Sequence, residues 1–323
     1  MAEPAPLLES PDNPVPPGGA AEWFQGAGGA RLRAALFTPK GAPRGTVVLS
    51  GGRTEVIEKY YETIGELLDR GFAVLTHDWR GQGLSHRLLP EPLKGHAEGF
   101  DDFLTDFDRL LAAFEGRAPK PWLAVAHSMG GCLTLLALAK GQAANFASAV
   151  LSAPMLALTT RPAPHFLVRL LLGRRVRRGR LEDYVGAPGD PFENDFDKNR
   201  LTHDRARYTR NCALVATHRQ LALGAVTWGW LDFAFKAIGW LQKPANLKRV
   251  TCPVVICQAG EDRIVDNRGQ DIVAAALPNG RLARIDGAFH EILQETDELR
   301  DAFWREFDAL ADEVAPAREA AEA

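Results

Sequence analysis

The sequence of 323 residues predicts an α/β fold, a doubly wound, mostly parallel sheet with a helical insertion. Three observations carry that expectation. Short apolar or β-branched runs alternate with longer segments of helical spacing. The alternation stops between about Met155 and Lys248 and then resumes, and one serine stands in a knot of small residues between a strand-like and a helix-like run. Parallel neighbours in a sheet need a crossover, usually a helix, so the alternation itself argues for parallel strands.

The elements follow in order. RLRAALFTP (31–39) and GTVVLSGG (45–52) read as strands, EKYYETIGELLDRG (58–71) as a helix ended by Gly71, and FAVLTHDWRGQG (72–83) as a strand leaving into a glycine-rich turn. FDDFLTDFDRLLAAFEG (100–116) is helical, WLAVA (122–126) a strand, GGCLTLLALAKG (130–141) a helix and ASAVLSAP (147–154) a strand. After the insertion come the strand CPVVICQAGED (252–262), the helix NRGQDIVAAALPNG (267–280), the strand and loop RLARIDGAFH (281–290) and a closing helix, ELRDAFWREFDALADEVA (298–315).

Composition bounds the function. A hydrophobic content of 46% supports a large core, and a net charge of −3 gives no reason to expect a nucleic acid partner. The acidic, proline-rich start, residues 1–24, lacks the pattern of a secretory signal and is expected to be an extended or disordered arm. No run approaches the roughly 18 apolar residues of a membrane span, so a cytoplasmic location is expected. Cys132, Cys212, Cys252 and Cys257 have neither metal-ligand nor disulfide-framework spacing. Residues 314–323 read as a flexible tail.

Ser128 lies where the strand ends and the helix begins, within Ala126-His127-Ser128-Met129-Gly130. A serine hydroxyl becomes a useful nucleophile when a sharp turn lifts it toward a base and beside backbone N–H groups, and small residues two positions either side permit that turn. The pattern is G-x-S-x-G, with Ala126 in the first glycine's place. A helix cap is the plainer role for such a serine. A nucleophile predicts an acid and then a histidine later in the chain, each just beyond a strand. Asp262 and His290 stand there, with Glu261 and Asp266 as alternative acids in the same loop.

With these motifs the chain resembles the α/β-hydrolase superfamily, and within it the monoacylglycerol lipase and bacterial lysophospholipase group of serine aminopeptidase-type hydrolases. The resemblance spans about residues 30 to 312. It rests on Ser50-Gly51-Gly52-Arg53-Thr54-Glu55 with Lys59-Tyr60, Asp78-Trp79-Arg80-Gly81-Gln82-Gly83-Leu84-Ser85, Ala126 to Gly131, Gly260-Glu261-Asp262 and Gly287-Ala288-Phe289-His290-Glu291. Gly51 departs from the histidine that many monoacylglycerol lipases carry there, and the Gly-Arg-x-Glu form leans toward the lysophospholipases.

The resemblance implies an oxyanion hole from the backbone N–H groups of Arg53 and Met129, with Gly52 beside the substrate. The Arg53 side chain is then free to meet a phosphate or ester oxygen, or equally to form a surface salt bridge. It implies no cofactor. His127, next to the nucleophile, is expected to point away on the tight turn and to serve the substrate's surroundings, not as the base. The Asp78 to Ser85 turn is expected to support the floor of the site.

The resemblance also makes residues 155–248 a cap, between core segments 25–154 and 249–313, with Trp228 and Trp230 as candidate substrate contacts. The implied activity is hydrolysis of acyl esters of single-chain lipids, lysophospholipid or monoacylglycerol. A peptidase or amide hydrolase of the same fold and a non-catalytic ligand receptor are the alternatives. Within the insertion, HFLVRLLLGRRVRRGR (165–180) joins a leucine run to Arg169, Arg174, Arg175, Arg177, Arg178 and Arg180. Such a segment suits peripheral contact with the anionic inner face of a membrane, and equally a solvated helix end.

Overall fold

A computed structural model describes residues 3–143, 145–160 and 163–317. Nine strands form one sheet: β1 (Glu3–Ala5), β2 (Gly19–Gln25), β3 (Arg31–Phe37), β4 (Thr46–Ser50), β5 (Ala73–His77), β6 (Trp122–His127), β7 (Phe146–Ser152), β8 (Val254–Ala259) and β9 (Gly280–Ile285). Their spatial order is β1-β2-β3-β5-β4-β6-β7-β8-β9. From β5 onward every pairing is parallel, and β1, β2 and β3 join it as an antiparallel edge.

Side chains alternate across the sheet and so build two cores. Val48, Ala124, Ala126, Leu151 and Ile256 face one side, covered by α2 (Asp101–Phe114) and α3 (Ser128–Lys140). Val47, Leu49, Leu123, Val125, Val150 and Val255 face the other, covered by α1 (Tyr61–Asp69) and the closing helix over Asp297–Val314. Gly71, with φ of 81°, lets the chain turn from α1 into β5.

Between β7 and β8 the insertion holds α4 (His165–Arg177), α5 (Arg205–Thr217), α6 (Trp228–Leu241) and the single turn α7 (Pro244–Leu247). β8 leads through α8 (Asn267–Ala276) to β9, and the closing helix is α9. Among the described residues no helix is long and apolar enough to cross a membrane.

Two stretches differ from expectation. The arm over 1–24 is not loose where it is described: β2 pairs along its length with β3, and the Asn13 side chain is buried and donates to the Glu58 carbonyl at 2.8 Å. Its prolines and glycines hid the edge strand β1 and its neighbour β2; an edge is the place in a sheet where such residues are tolerated. At the other end Val314 completes α9 and Ala315 is buried, its carbonyl accepting from Arg44 Nε at 2.9 Å. Residues 318–323 of the expected tail lie outside the described residues.

Candidate active site

The sheet delivers three side chains to the carboxyl ends of its parallel strands. β6 runs straight into α3, and Ser128, the first residue of that helix, has φ of 49°. A non-glycine residue held there is strained by about 1–3 kcal/mol. The surrounding packing enforces it, because a Cβ on Gly130 would lie 2.5 Å from the Ser50 carbonyl oxygen and one on Gly131 would lie 2.9 Å from Pro154 Cβ. Ala126, by contrast, is an ordinary buried strand residue facing the core, so the turn does not need a glycine there.

His290, in the loop after β9, places Nε2 2.9 Å from Ser128 Oγ and Nδ1 2.7 Å from Asp262 Oδ2. Asp262, in the loop after β8, is fixed in turn: its Oδ1 accepts from the N–H groups of Ile264 and Val265 at 2.8 and 3.0 Å. Burial pushes its carboxyl upward, but the hydrogen bond and charge of His290 together with those two N–H groups bring it below its ordinary value. The alternative acids are elsewhere. Asp266 caps α8 and pairs with Arg268, and Glu261 is no partner of His290.

The loop after β4 brings backbone donors beside the serine. A Cβ on Gly52 would stand 3.1 Å from Ser128 Cβ. The Gly52 N–H is taken by Glu55 Oε2 and the Thr54 N–H by Gln82 Oε1, at 2.9 Å for the latter, which leaves the Arg53 N–H between them without an acceptor among the described residues. Met129, second in α3, contributes one of the unpaired N–H groups of a helix start. Gly52 therefore shapes the wall, and its own N–H is spent inside the protein.

Behind the serine lies a buried network. Glu55 Oε1 accepts from Lys59 Nζ at 2.9 Å, and Lys59 also reaches Glu291 Oε1 at 2.7 Å. Glu55 Oε2 meets Tyr60 Oη and His127 Nδ1, the latter at 3.0 Å, while His127 Nε2 faces the carbonyl of His290 at 3.1 Å. Both ring nitrogens of His127 thus face acceptors, so both donate and the ring is an imidazolium. Burial opposes that charge, and Glu55 beside it raises the imidazole above its ordinary value all the same. Glu55 itself is held well below its ordinary value: burial resists, and His127 and Lys59 prevail. Expected to point away, His127 instead packs its ring 4.8 Å from that of His290, under the site.

A cavity of about 380 Å³ opens at Ser128, His127 and His290. Met155, Leu158, Leu201, Val226 and Trp230 give it apolar walls, and the Arg53 side chain lies on it. Trp230 is where the sequence placed it. Trp228 is not: it packs with Leu172, Leu231 and Phe235 between α4 and α6, beneath Arg175. One step along a helix rotates a side chain by about 100°, while two steps reach the opposite face, so two tryptophans two apart cannot share one wall.

Glu55, Lys59 and Gln82 lie in the motifs around Gly52 and Asp78. Their signal was the presence of charged and amide residues in otherwise apolar stretches, and only tertiary contacts reveal their partners. The Asp78 turn does reach the floor, for Gln82 Nε2 donates to the Gly52 carbonyl at 2.9 Å and Trp79 Nε1 to that of Gly51 at 2.9 Å. Among the described residues no group of His, Cys, Asp or Glu is arranged to hold a metal ion.

Comparison with known proteins places these features in context. The family model described as serine aminopeptidase, S33, matches residues 41–297. Lysophospholipase L2 of Escherichia coli (strain K12) is 38% identical over 267 residues, covering 79% of this chain and 76% of that protein. A monoacylglycerol lipase of Mycolicibacterium smegmatis is 26% identical over 283 residues, covering 85% of this chain and 91% of that one. Among solved structures, a soluble variant of monoglyceride lipase from Saccharomyces cerevisiae superposes with a TM-score of 0.72 at 18% identity, over 91% of this chain and 95% of that chain.

Proposed function

Because the chain belongs to the serine aminopeptidase S33 family and has the α/β-hydrolase fold, we propose that it is a serine ester hydrolase that cleaves single-chain lipids, a lysophospholipid or a monoacylglycerol. The observation that carries the proposal is the hydrogen-bonded line from Ser128 through His290 to Asp262, set beside the backbone of Arg53 and Met129.

Ser128 Oγ attacks the acyl carbon while His290 Nε2 takes its proton. Asp262 holds His290 Nδ1 and stabilises the imidazolium. The N–H groups of Arg53 and Met129 receive the oxyanion, in a site where fixed donors need no reorganisation. His290 then returns the proton to the leaving alcohol, and water releases the acyl group by the same steps in reverse order.

The substrate class follows from the relatives' names and from the cavity walls. Residues 155–248 act as the cap: Leu158, Leu201, Val226 and Trp230 come from it, and burying an acyl chain there yields about 25 cal/mol per Å². The cap also carries an apolar, basic face on α4. Phe166 is 73% and Leu170 62% exposed, with Arg174, Arg177, Arg178 and Arg180 following. Exposed phenylalanine and leucine beside arginines complement an anionic lipid surface, and we assign that face to peripheral membrane contact.

Release of fatty acid from lysophosphatidylcholine and from monoacylglycerol tests the reading. Ser128→Ala is expected to retain its fold by circular dichroism and to lose about a thousandfold or more in kcat. Undiminished turnover by that variant would refute the mechanism.

A further inference from the structure

The turn that faces the oxyanion also sets a cation on the cavity that the ester chemistry does not use. Arg53 Nη2 donates to the carbonyl of Gly224, and the guanidinium stands 5.7 Å from the centroid of the Trp230 ring. Its Nε is buried without an acceptor. No carboxylate among the described residues pairs with it, and burial alone brings the group down to about 10.

The acids that share the cavity are matched already. Glu55 faces Lys59 and His127, and Glu291 faces Lys59. Two carboxylates against one ammonium and one imidazolium leave no negative charge for Arg53. A guanidinium partly withdrawn from water without a counter-charge is destabilising, and an arriving anion that accepts from its unpartnered Nε–H relieves that cost.

We infer that the Arg53 side chain is an anion subsite that takes the phosphodiester of a lysophospholipid while the same residue's backbone N–H receives the ester oxyanion. This rests on the ester-hydrolase reading above and narrows its substrate to the phosphorylated class. Covalent reach agrees with it. The path from Arg53 Cα to the guanidinium carbon has as many bonds as the path from the primary ester oxygen of a lysophospholipid to its phosphorus, so one residue spans both groups. Guanidinium suits a phosphate because its planar N–H groups match two oxygens at once. A monoacylglycerol offers only a hydroxyl there and leaves the cation unpaired.

The test compares kcat/KM for lysophosphatidylcholine with that for a monoacylglycerol of the same acyl chain, in the wild type, Arg53→Gln and Arg53→Lys. The ratio of phospholipid to neutral substrate is expected to fall by about tenfold or more in Arg53→Gln, chiefly through KM, and to recover in part in Arg53→Lys. An unchanged ratio, with both substrates affected alike, would overturn the subsite.

A second arm needs no turnover. Binding of a non-hydrolysable ether analogue of lysophosphatidylcholine is measured by calorimetry on Ser128→Ala and on Ser128→Ala with Arg53→Gln. Weaker binding by about tenfold in the double variant supports the subsite even if the wild type hydrolyses neither ester, an outcome that would sink only the reading of the activity. Equal binding refutes the subsite while leaving the hydrolase reading intact. Inorganic phosphate that bound as tightly as the ether lipid, and through Arg53, would assign the site to free phosphate and overturn the headgroup assignment.

Discussion

Glu55 joins more of the site than any side chain that touches the serine. It anchors the Gly52 N–H, the Lys59 ammonium, the Tyr60 hydroxyl and the His127 ring, and His127 in turn holds the backbone of His290. Replacing it by glutamine takes the carboxylate from the buried His127 ring and leaves Lys59 to Glu291 alone, which costs about 3–5 kcal/mol. The consequence also has a pH sign. In the wild type the His127 imidazole is raised above 6.5, so the stability it confers is complete below that value and is lost only as pH rises through the raised one. Without Glu55, burial pulls the imidazole down and only Glu291 still opposes it. Glu55→Gln is expected to lower kcat by about a hundredfold at pH 8, with the deficit narrowing toward pH 6. A kcat–pH profile parallel to that of the wild type would show that the imidazolium does not position His290.

At the scale of elements, the joint between β6 and α3 is set by how closely α3 approaches the end of β4. A Cβ on Gly130 meets the carbonyl of Ser50, and backbone cannot step aside as a long side chain does. Gly130→Ala is therefore expected to destabilise by about 1–3 kcal/mol in a denaturant titration and to lower kcat together with stability, because the oxyanion turn rides on β4. Full activity in that variant would mean the turn is loose. The parallel strands β4 to β8 were legible because each holds a short run rich in Val, Ile, Leu and Ala between helical spacings, while β9, Gly280–Ile285, was legible by its alternation of Leu282, Ala283 and Ile285 with Arg281 and Arg284. The loops that follow β8 and β9 were legible as carriers of an acid and a base. β1 and β2 were not: Pro4, Gly18 and Gly19 suppress strand propensity, and an edge strand draws on its neighbour's backbone more than on its own apolar pattern. The facing of Trp228 was also beyond reach, since it depends on how α6 is rotated against α4.

Over the whole molecule, the line from Ser128 through His290 to Asp262 sits on the core and the arginine-rich α4 on the insertion between β7 and β8, and the proposed lipid substrate asks for a surface from which to draw it. Binding to vesicles should then depend on anionic lipid and fall with salt, because exposed arginines act through a screened field. Sedimentation with phosphatidylglycerol vesicles is expected to capture the wild type, and Phe166→Ser with Leu170→Ser to reduce capture about tenfold. Capture indifferent to lipid charge and to both substitutions would remove α4 from that role. The central claim, though, is that Ser128 is the activated nucleophile, and a fluorophosphonate with peptide-resolved mass spectrometry tests it most directly. A single adduct on Ser128, forming at least about a hundredfold more slowly in Asp262→Asn, is the predicted result. An adduct on another residue, or none in protein that still hydrolyses ester, would contradict the account.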